Sequence, residues 1–164
     1  MDGDGFEKYP LAHEADLNDL YTTVISMDEI KKIFQRIRVE RLIFIADTCY
    51  SGASGGRTIL SSKTRASLSD SFYERITRGK ARVSIASCSA NEVSKEDDKL
   101  KHGVFTYYLI EGLRGRADYD KDGLITVEEI FGYLSKTVPN ASRQDQHPIK
   151  KGVTEGEFII GIKK

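Results

Sequence analysis

The chain has 164 residues, 39% of them hydrophobic, which is enough for one domain with a sizeable core. Its 25 basic and 25 acidic residues balance and are interspersed, so charge indicates no nucleic-acid or membrane partner. No apolar window approaches the roughly 18 residues that cross a bilayer, and the acidic beginning Met1-Asp-Gly-Asp-Gly5 is unlike a signal peptide, so we expect a soluble, cytoplasmic protein.

The first part of the chain predicts an arm, a helix and a buried strand. Residues 1–25 have turn chemistry and little periodicity, and His13 within them is interpreted as a solvated loop histidine. Ser26-Met-Asp-Glu29 is a capping box, and apolar residues follow it at helical spacing, which predicts a helix over about residues 27–38. Residues 42–46 are an unbroken apolar run, typical of a strand that helices cover on both faces.

Reactive side chains follow this strand directly, in the segment Asp47-Thr-Cys49-Tyr-Ser51-Gly52. In open α/β sheets such groups collect just beyond the carboxyl ends of the strands. Cys49 is therefore placed as a nucleophile would be. The other cysteine is Cys88, and two cysteines do not make a disulfide framework, so both are expected to remain thiols in a reducing compartment.

The next segment predicts a strand–helix–strand unit. Residues 52–69 are rich in Gly and Ser, which favours an exposed loop, and contain the basic residues Arg57, Lys63 and Arg65. A helix over 70–78 ends at Gly79, and residues 81–87 form a second strand. Such a connection makes the two strands parallel.

Residues 91–101 are charged throughout and predict a solvated loop, although their carboxylates would also suit a site for a cation or a charged substrate. Residues 103–114 then predict a helix with an apolar face. His102 stands at the start of this helix, where we interpret it as structural.

The segment Asp118-Tyr-Asp-Lys-Asp-Gly-Leu-Ile-Thr-Val-Glu-Glu129 matches the pattern of an EF-hand calcium loop. With helices over 103–114 and from 127 to about 138, ending before Pro139, it predicts a helix–loop–helix unit at about 103–138. The alternative is a hairpin that binds calcium weakly or not at all, because a lone hand lacks its usual partner. The predicted ligands are Asp118, Asp120, Asp122, Leu124, Thr126 and Glu129.

Residues 141–156 are polar and irregular, and His147-Pro148 within them favours an extended connector rather than a ligand site. Residues 157–162 predict a last strand. No repeat or long linker divides the chain, so residues 1–164 are expected to belong to one domain.

Three motifs, in this order, resemble the caspase-like cysteine peptidases, closest to the metacaspase and bacterial caspase-like branch. They are the segment from Asp47 to Gly52, the strand Val83-Ser-Ile-Ala-Ser-Cys88 with Glu92 and Ser94, and His102-Gly-Val-Phe-Thr-Tyr107. The resemblance implies a caspase-like α/β sandwich, in which helices flank a mostly parallel sheet. It also implies an endopeptidase that acts on peptide or protein substrates.

The resemblance also implies roles for individual residues. Cys49 would supply the thiolate that attacks the scissile carbonyl, with its own backbone N–H as an oxyanion donor. Asp47 would help to form the pocket for an Arg or Lys side chain before the cut bond, and Ser87 would neighbour that pocket. The self-processing loop of the family corresponds to residues 52–69, so Arg57, Lys63 and Arg65 are candidate cleavage sites.

The family's catalytic histidine precedes the cysteine, in a His-Gly motif at the end of an earlier strand, and this sequence starts after that point. We therefore expect the chain to lack the family's first strands and to be inactive alone, with an upstream segment or a second chain supplying the histidine. One alternative is a noncatalytic calcium-binding or scaffolding module with the same fold. Another is an unrelated small α/β protein in which Cys49 is only a buried strand-end residue.

Overall fold

The computed structural model describes residues 27–47, 81–89, 92, 96–97 and 102–163. The first half contains α1 (Met27–Arg36), β1 (Leu42–Ala46), β2 (Arg82–Ala86), β3 (Glu96–Asp97) and β4 (His102–Gly103). The second half contains α2 (Val104–Glu111), a wide π-type turn (Gly112–Arg116), β5 (Leu124–Thr126), α3 (Val127–Ala141), β6 (Ile149–Val153) and β7 (Ile159–Ile162). No helix among these residues is both long and apolar enough to cross a membrane.

The main sheet has the order β1-β2-β6 within the described part of the chain. β1 and β2 are parallel, with Leu42 opposite Arg82 and Ala46 opposite Ala86, as the sequence predicted. β6 runs antiparallel to β2 on its other side. The structure is thus a mixed α/β fold with sheets flanked by helices, which confirms the predicted fold class. The predicted loop over 52–69 and helix over 70–78 lie outside the described residues.

β2 is buried on both faces. Val83 and Ile85 belong to the larger core cluster, which includes residues of α2 and α3. Ala86 points to the opposite face, where it joins Phe34 of α1 and Ala46 of β1 in a second cluster. Because side chains alternate along a strand, one five-residue strand serves both layers.

Arg82 joins the start of β2 to the end of α1. Its guanidinium donates hydrogen bonds to the backbone oxygens of Ile37, at 2.7 Å, and of Phe34, at 3.4 Å. Phe34 lies in the last turn of α1 and Ile37 directly follows the helix, and carbonyl oxygens at a helix end have no partner within the helix. The arginine therefore fixes where α1 ends relative to the sheet.

Two predictions for the region after the acidic loop are wrong in part. α3 continues through Pro139 to Ala141 instead of ending before the proline. Proline stands in the last turn, where its missing N–H removes one hydrogen bond, and both Val138 and Pro139 are buried. The predicted connector contains β6, whose sequence lacks alternation and whose strand form depends on hydrogen bonds to β2.

The predicted last strand is present as β7, but it does not join the main sheet. It pairs antiparallel with β5, with Leu124 opposite Ile162, in a separate two-stranded sheet. The predicted helix over 103–114 begins at Val104 and passes into the wide turn after Glu111. That turn contains Gly115 at φ 111°, a left-handed conformation that favours glycine.

Candidate functional site

The carboxyl ends of β1 and β2 bring two of the predicted site residues side by side. The register pairs Ala46 with Ala86, so Asp47 and Ser87 are the next residues of the two parallel strands. The Ser87 N–H donates to the Ala46 oxygen at 2.9 Å, which extends the pairing to this edge. Asp47 is exposed, whereas Ser87 is fully buried. At this edge the Asp47 carboxylate therefore faces solvent, and the buried Ser87 lies next to it.

Thr106 holds the Asp47 carboxylate. Its Oγ1 hydroxyl donates a hydrogen bond to Asp47 Oδ2 from the first turns of α2. The sequence analysis did not assign Thr106 a role, although the residue lies within one of the three motifs. A hydroxyl that donates to one carboxylate oxygen restricts the orientation of the Asp47 carboxylate.

Gln146 forms a hydrogen bond to the residue after β2 from the buried side of the strand. Its side chain is fully buried, and Nε2 donates to the Ser87 oxygen at 3.0 Å. Its backbone N–H donates to Ser142 Oγ at 3.1 Å, and the Ser142 hydroxyl donates to the Pro139 oxygen at 3.3 Å. A buried amide with hydrogen-bond partners is costly to replace, because its loss removes the hydrogen bond to the Ser87 carbonyl from a buried site. Sequence alone missed Gln146, which lies in the predicted connector.

Glu92 and His147 form a hydrogen-bonded pair beyond the end of β2. His147 Nδ1 lies 2.8 Å from Glu92 Oε1, and the His147 backbone N–H donates to Oε2 at 2.9 Å. The Ser89 N–H also donates to Oε2, at 3.3 Å. Burial raises the pKa of Glu92, but the hydrogen bonds from His147 and Ser89 outweigh it, so the pKa lies below its usual value. His147 thus anchors its segment to the strand end.

The structure describes one of the two cysteines, Cys88. Cys49, the predicted nucleophile, lies outside the described residues, as do His13 and the three basic residues of the predicted processing loop. Cys88 is buried, and its Sγ lies 3.6 Å from the backbone carbonyl oxygen of Glu92. Burial makes Cys88 poorly accessible to a thiol reagent.

A second group of predicted residues meets at the acidic loop. Carboxylate oxygens of Asp118, Asp120 and Glu129 lie within 4.8 Å of one another. Glu129 is oriented by a capping box at the start of α3, in which its N–H donates to Thr126 Oγ1 at 3.2 Å and its Oε2 accepts from the Thr126 N–H at 2.9 Å. Helix formation itself therefore brings Glu129 back to the loop.

The remaining predicted ligands shape the loop. Asp120 accepts from the Asp122 N–H at 3.1 Å, and Asp122 accepts from the Leu124 N–H at 2.7 Å. Gly123 adopts φ 85°, which allows the sharp turn. Asp122 does not belong to the group of three carboxylates. A carboxylate that accepts one such turn hydrogen bond keeps lone pairs with which it can bind a cation.

Asp118 is the residue of the loop that most needs a cation. Its side chain is only 1% exposed, and within the described part of the chain its Oδ1 has no hydrogen-bond partner. An unpaired oxygen on a buried carboxylate costs free energy unless a cation or a donor reaches it. The oxygen-rich, acidic donor set fits a hard divalent cation such as calcium.

The loop also has a partner strand, which the sequence analysis did not foresee. β5 contains Leu124 and Thr126, and β7 pairs with it along its length. In addition, the Lys163 N–H donates to the Gly123 oxygen at 2.9 Å. The C-terminal strand of the chain therefore supports this lone loop in place of a second hand.

The fold and the strand-end residues together define a class: an α/β protein that presents polar groups at the carboxyl edge of a parallel strand pair. The model of one protein family, described as the caspase domain, matches residues 3–155. The chain therefore belongs to the caspase-domain family, a family of cysteine peptidases that act on proteins. No curated protein and no solved structure matches the chain.

Removing the charge of Glu92 tests the pair with His147. Because the pKa of Glu92 is lowered in the folded state, its stabilising contribution is present above the ordinary carboxyl pKa of 4.5 and is lost as pH falls through the lowered pKa. We expect Glu92→Gln to lower the melting temperature at pH 7 by about 2–5 °C. The difference from the unaltered chain should shrink as the pH falls below 4.5.

Glu157→Gln, at an exposed glutamate, is the matched control. It should have the same melting temperature as the unaltered chain at every pH. A melting difference for Glu92→Gln that stays constant down to acid pH would contradict the assignment, since loss of packing alone does not depend on the charge of Glu92.

Proposed function

We propose that this chain is the cysteine-bearing part of a caspase-like endopeptidase of the metacaspase type, which cuts after Arg or Lys through a Cys49 thiolate. The observation that supports the proposal is the exposed Asp47 carboxylate at the strand end, two residues before Cys49. Family membership supports cysteine peptidase chemistry, and the carboxylate supports the choice of substrate.

Asp47 favours a cationic substrate side chain for an electrostatic reason. A carboxylate pairs with a guanidinium or an ammonium through charge-assisted hydrogen bonds, and it repels the aspartate side chain that true caspases accept. Thr106 orients the Asp47 carboxylate, and Ser87 lies beside it in the register of the sheet. In this proposal Thr106 is a positioning residue, and Asp47 and Ser87 form the substrate pocket.

Affinity labelling tests both the nucleophile and the pocket in this chain. A peptide chloromethyl ketone that ends in Arg should alkylate Cys49 about two- to fivefold faster than one that ends in Asp, because an exposed ion pair contributes up to about 1 kcal/mol. Buried Cys88 should react slowly with both reagents. Peptide mass spectrometry measures the labelled fraction of each cysteine.

Asp47→Asn should remove the preference for Arg without removing the reactivity of Cys49, whereas the control Asp145→Asn, at another exposed aspartate, should keep the preference. Equal rates for the two reagents in the unaltered chain would argue against basic specificity. Faster labelling of Cys88 than of Cys49 would argue against the nucleophile itself.

We further propose that the histidine partner of Cys49 comes from an upstream segment or a second chain. His147 is engaged by Glu92 on both its ring and its backbone, and His102 lies in β4, paired with Asp97. His13 lies outside the described residues and is the alternative to exclude. A cysteine of ordinary pKa is only a few per cent thiolate at pH 7, and it lacks an acid for the leaving amine.

We expect the 164-residue chain to hydrolyse fluorogenic peptides ending in Arg or Lys at or near background. A longer chain that carries a His-Gly strand end upstream should cut them, and its Cys49→Ser variant should not. Substantial activity of the shorter chain that disappears in His13→Ala would overturn this proposal, and so would an inert longer chain with Cys49 intact.

A second candidate function is that of a calcium-binding or scaffolding module without catalysis. The buried Oδ1 of Asp118, which has no hydrogen-bond partner among the described residues, favours its metal-binding part. Asp118, Asp120 and Glu129 would hold the ion, with help from the loop residues Asp122, Leu124 and Thr126. Bound calcium would neutralise the clustered carboxylates and stabilise the folded loop. The peptidase proposal is compatible with such a site and does not depend on it.

Calcium should raise the melting temperature, because a ligand that binds only the folded state stabilises it. At a hundredfold excess over the dissociation constant the increase should be about 5–10 °C. Glu129→Gln should remove the increase, whereas Glu128→Gln, the neighbouring residue that pairs with Lys150, should retain it. Indifference of the unaltered chain to millimolar calcium would remove the metal proposal and leave the peptidase proposal standing.

A further inference from the structure

Asp118 has one cationic neighbour among the described residues, and that neighbour comes from the far end of the chain. Lys163 Nζ lies 3.4 Å from Asp118 Oδ2. The two side chains differ in exposure, since the aspartate is 1% exposed and the lysine 46%. The lysine side chain therefore already reaches water, whereas burial of the aspartate carboxylate is costly without a cation or a donor beside it.

The backbone delivers Lys163 to this place. The residue follows β7 directly, and its N–H donates to the Gly123 oxygen inside the acidic loop. The stem of its side chain crosses Gly115, where an added Cβ would lie 2.9 Å from Lys163 Cγ. The lysine is thus held against the loop by a strand pairing, a loop hydrogen bond and a glycine that leaves room for it.

We propose that Lys163 is a built-in counter-ion of the acidic loop, which neutralises Asp118 when no metal is bound and opposes calcium binding. This inference rests on the proposed calcium site. One ammonium group carries a single charge, whereas the carboxylates of Asp118, Asp120 and Glu129 together carry three. A divalent ion can bridge them, but it must approach Asp118 against the positive charge of Lys163 or displace that side chain.

The proposal gives Lys163 two effects of opposite sign. Without metal, loss of its charge leaves Asp118 without a cationic neighbour among the described residues, so the apo protein becomes less stable. With calcium, the same loss removes a competing charge, so the ion binds more tightly. A lysine that only packs against Gly115 would lower the stability of both states and would not strengthen binding. The lysine therefore sets the calcium concentration at which the loop fills.

Calcium chloride titrated into the full chain by isothermal calorimetry tests the proposal, with melting temperatures taken in chelator and in excess calcium. Lys163→Met should lower the calcium Kd by about three- to tenfold, the effect expected for one partly exposed charge near the ion. It should also lower the melting temperature in chelator. Lys163→Arg keeps the charge and should bind calcium within about twofold of the unaltered chain.

Lys151→Met, which removes an exposed lysine on β6, is the control for net charge and should leave the Kd unchanged. An unchanged or weaker calcium affinity in Lys163→Met overturns the inference, and so does an equal gain in Lys151→Met. If no variant binds calcium, and the unaltered chain does not either, the proposed metal site itself is wrong. These results separate failure of the lysine's role from failure of the calcium site.

Discussion

The parallel pairing of β2 with β1 is the interaction on which the rest of the structure depends. β2 is buried on both faces, so α1 on one side and α2 with α3 on the other pack against the same five residues. The pairing also decides which side chains meet at the carboxyl edge. A shift of one residue would separate Asp47 from Ser87 and turn the apolar residues of β2 to the wrong layers.

Hydrogen-bonded polar groups, of which Gln146 is fully buried, hold the chain together around this edge. Gln146 and the pair of Glu92 with His147 tie the segment after α3 to the residues after β2, through the Ser87 carbonyl and the Glu92 carboxylate. Such groups are costly to bury and stabilise the fold only when they are paired. The edge that carries Asp47 is therefore held by a polar network of specific geometry, with Thr106 on the exposed side and Gln146 on the buried side.

α3 links this network to the acidic loop. The 15-residue helix begins with the capping box that orients Glu129, and Ser142, which follows its last residue, accepts from the N–H of Gln146. The loop at its start is supported by β7 rather than by a second loop of its own kind. The helix and the strand β7 thus hold together acidic side chains that would otherwise repel one another.

The sequence by itself determined the elements whose causes are local: the helix α1, the strands β1 and β2, and the turn at Gly123. The family resemblance of its motifs also implied that Ser87 lies beside Asp47, and the register of β1 with β2 places the two residues next to each other. Only the tertiary structure decided that β6 is a strand, that β7 pairs with β5, and which distant side chains meet Asp47, Ser87 and Asp118. Those partners are Thr106, Gln146 and Lys163, which lie 59, 59 and 45 residues away in the chain. Contacts of that separation leave no periodic signal in the sequence, since they depend on how whole elements pack rather than on neighbouring residues.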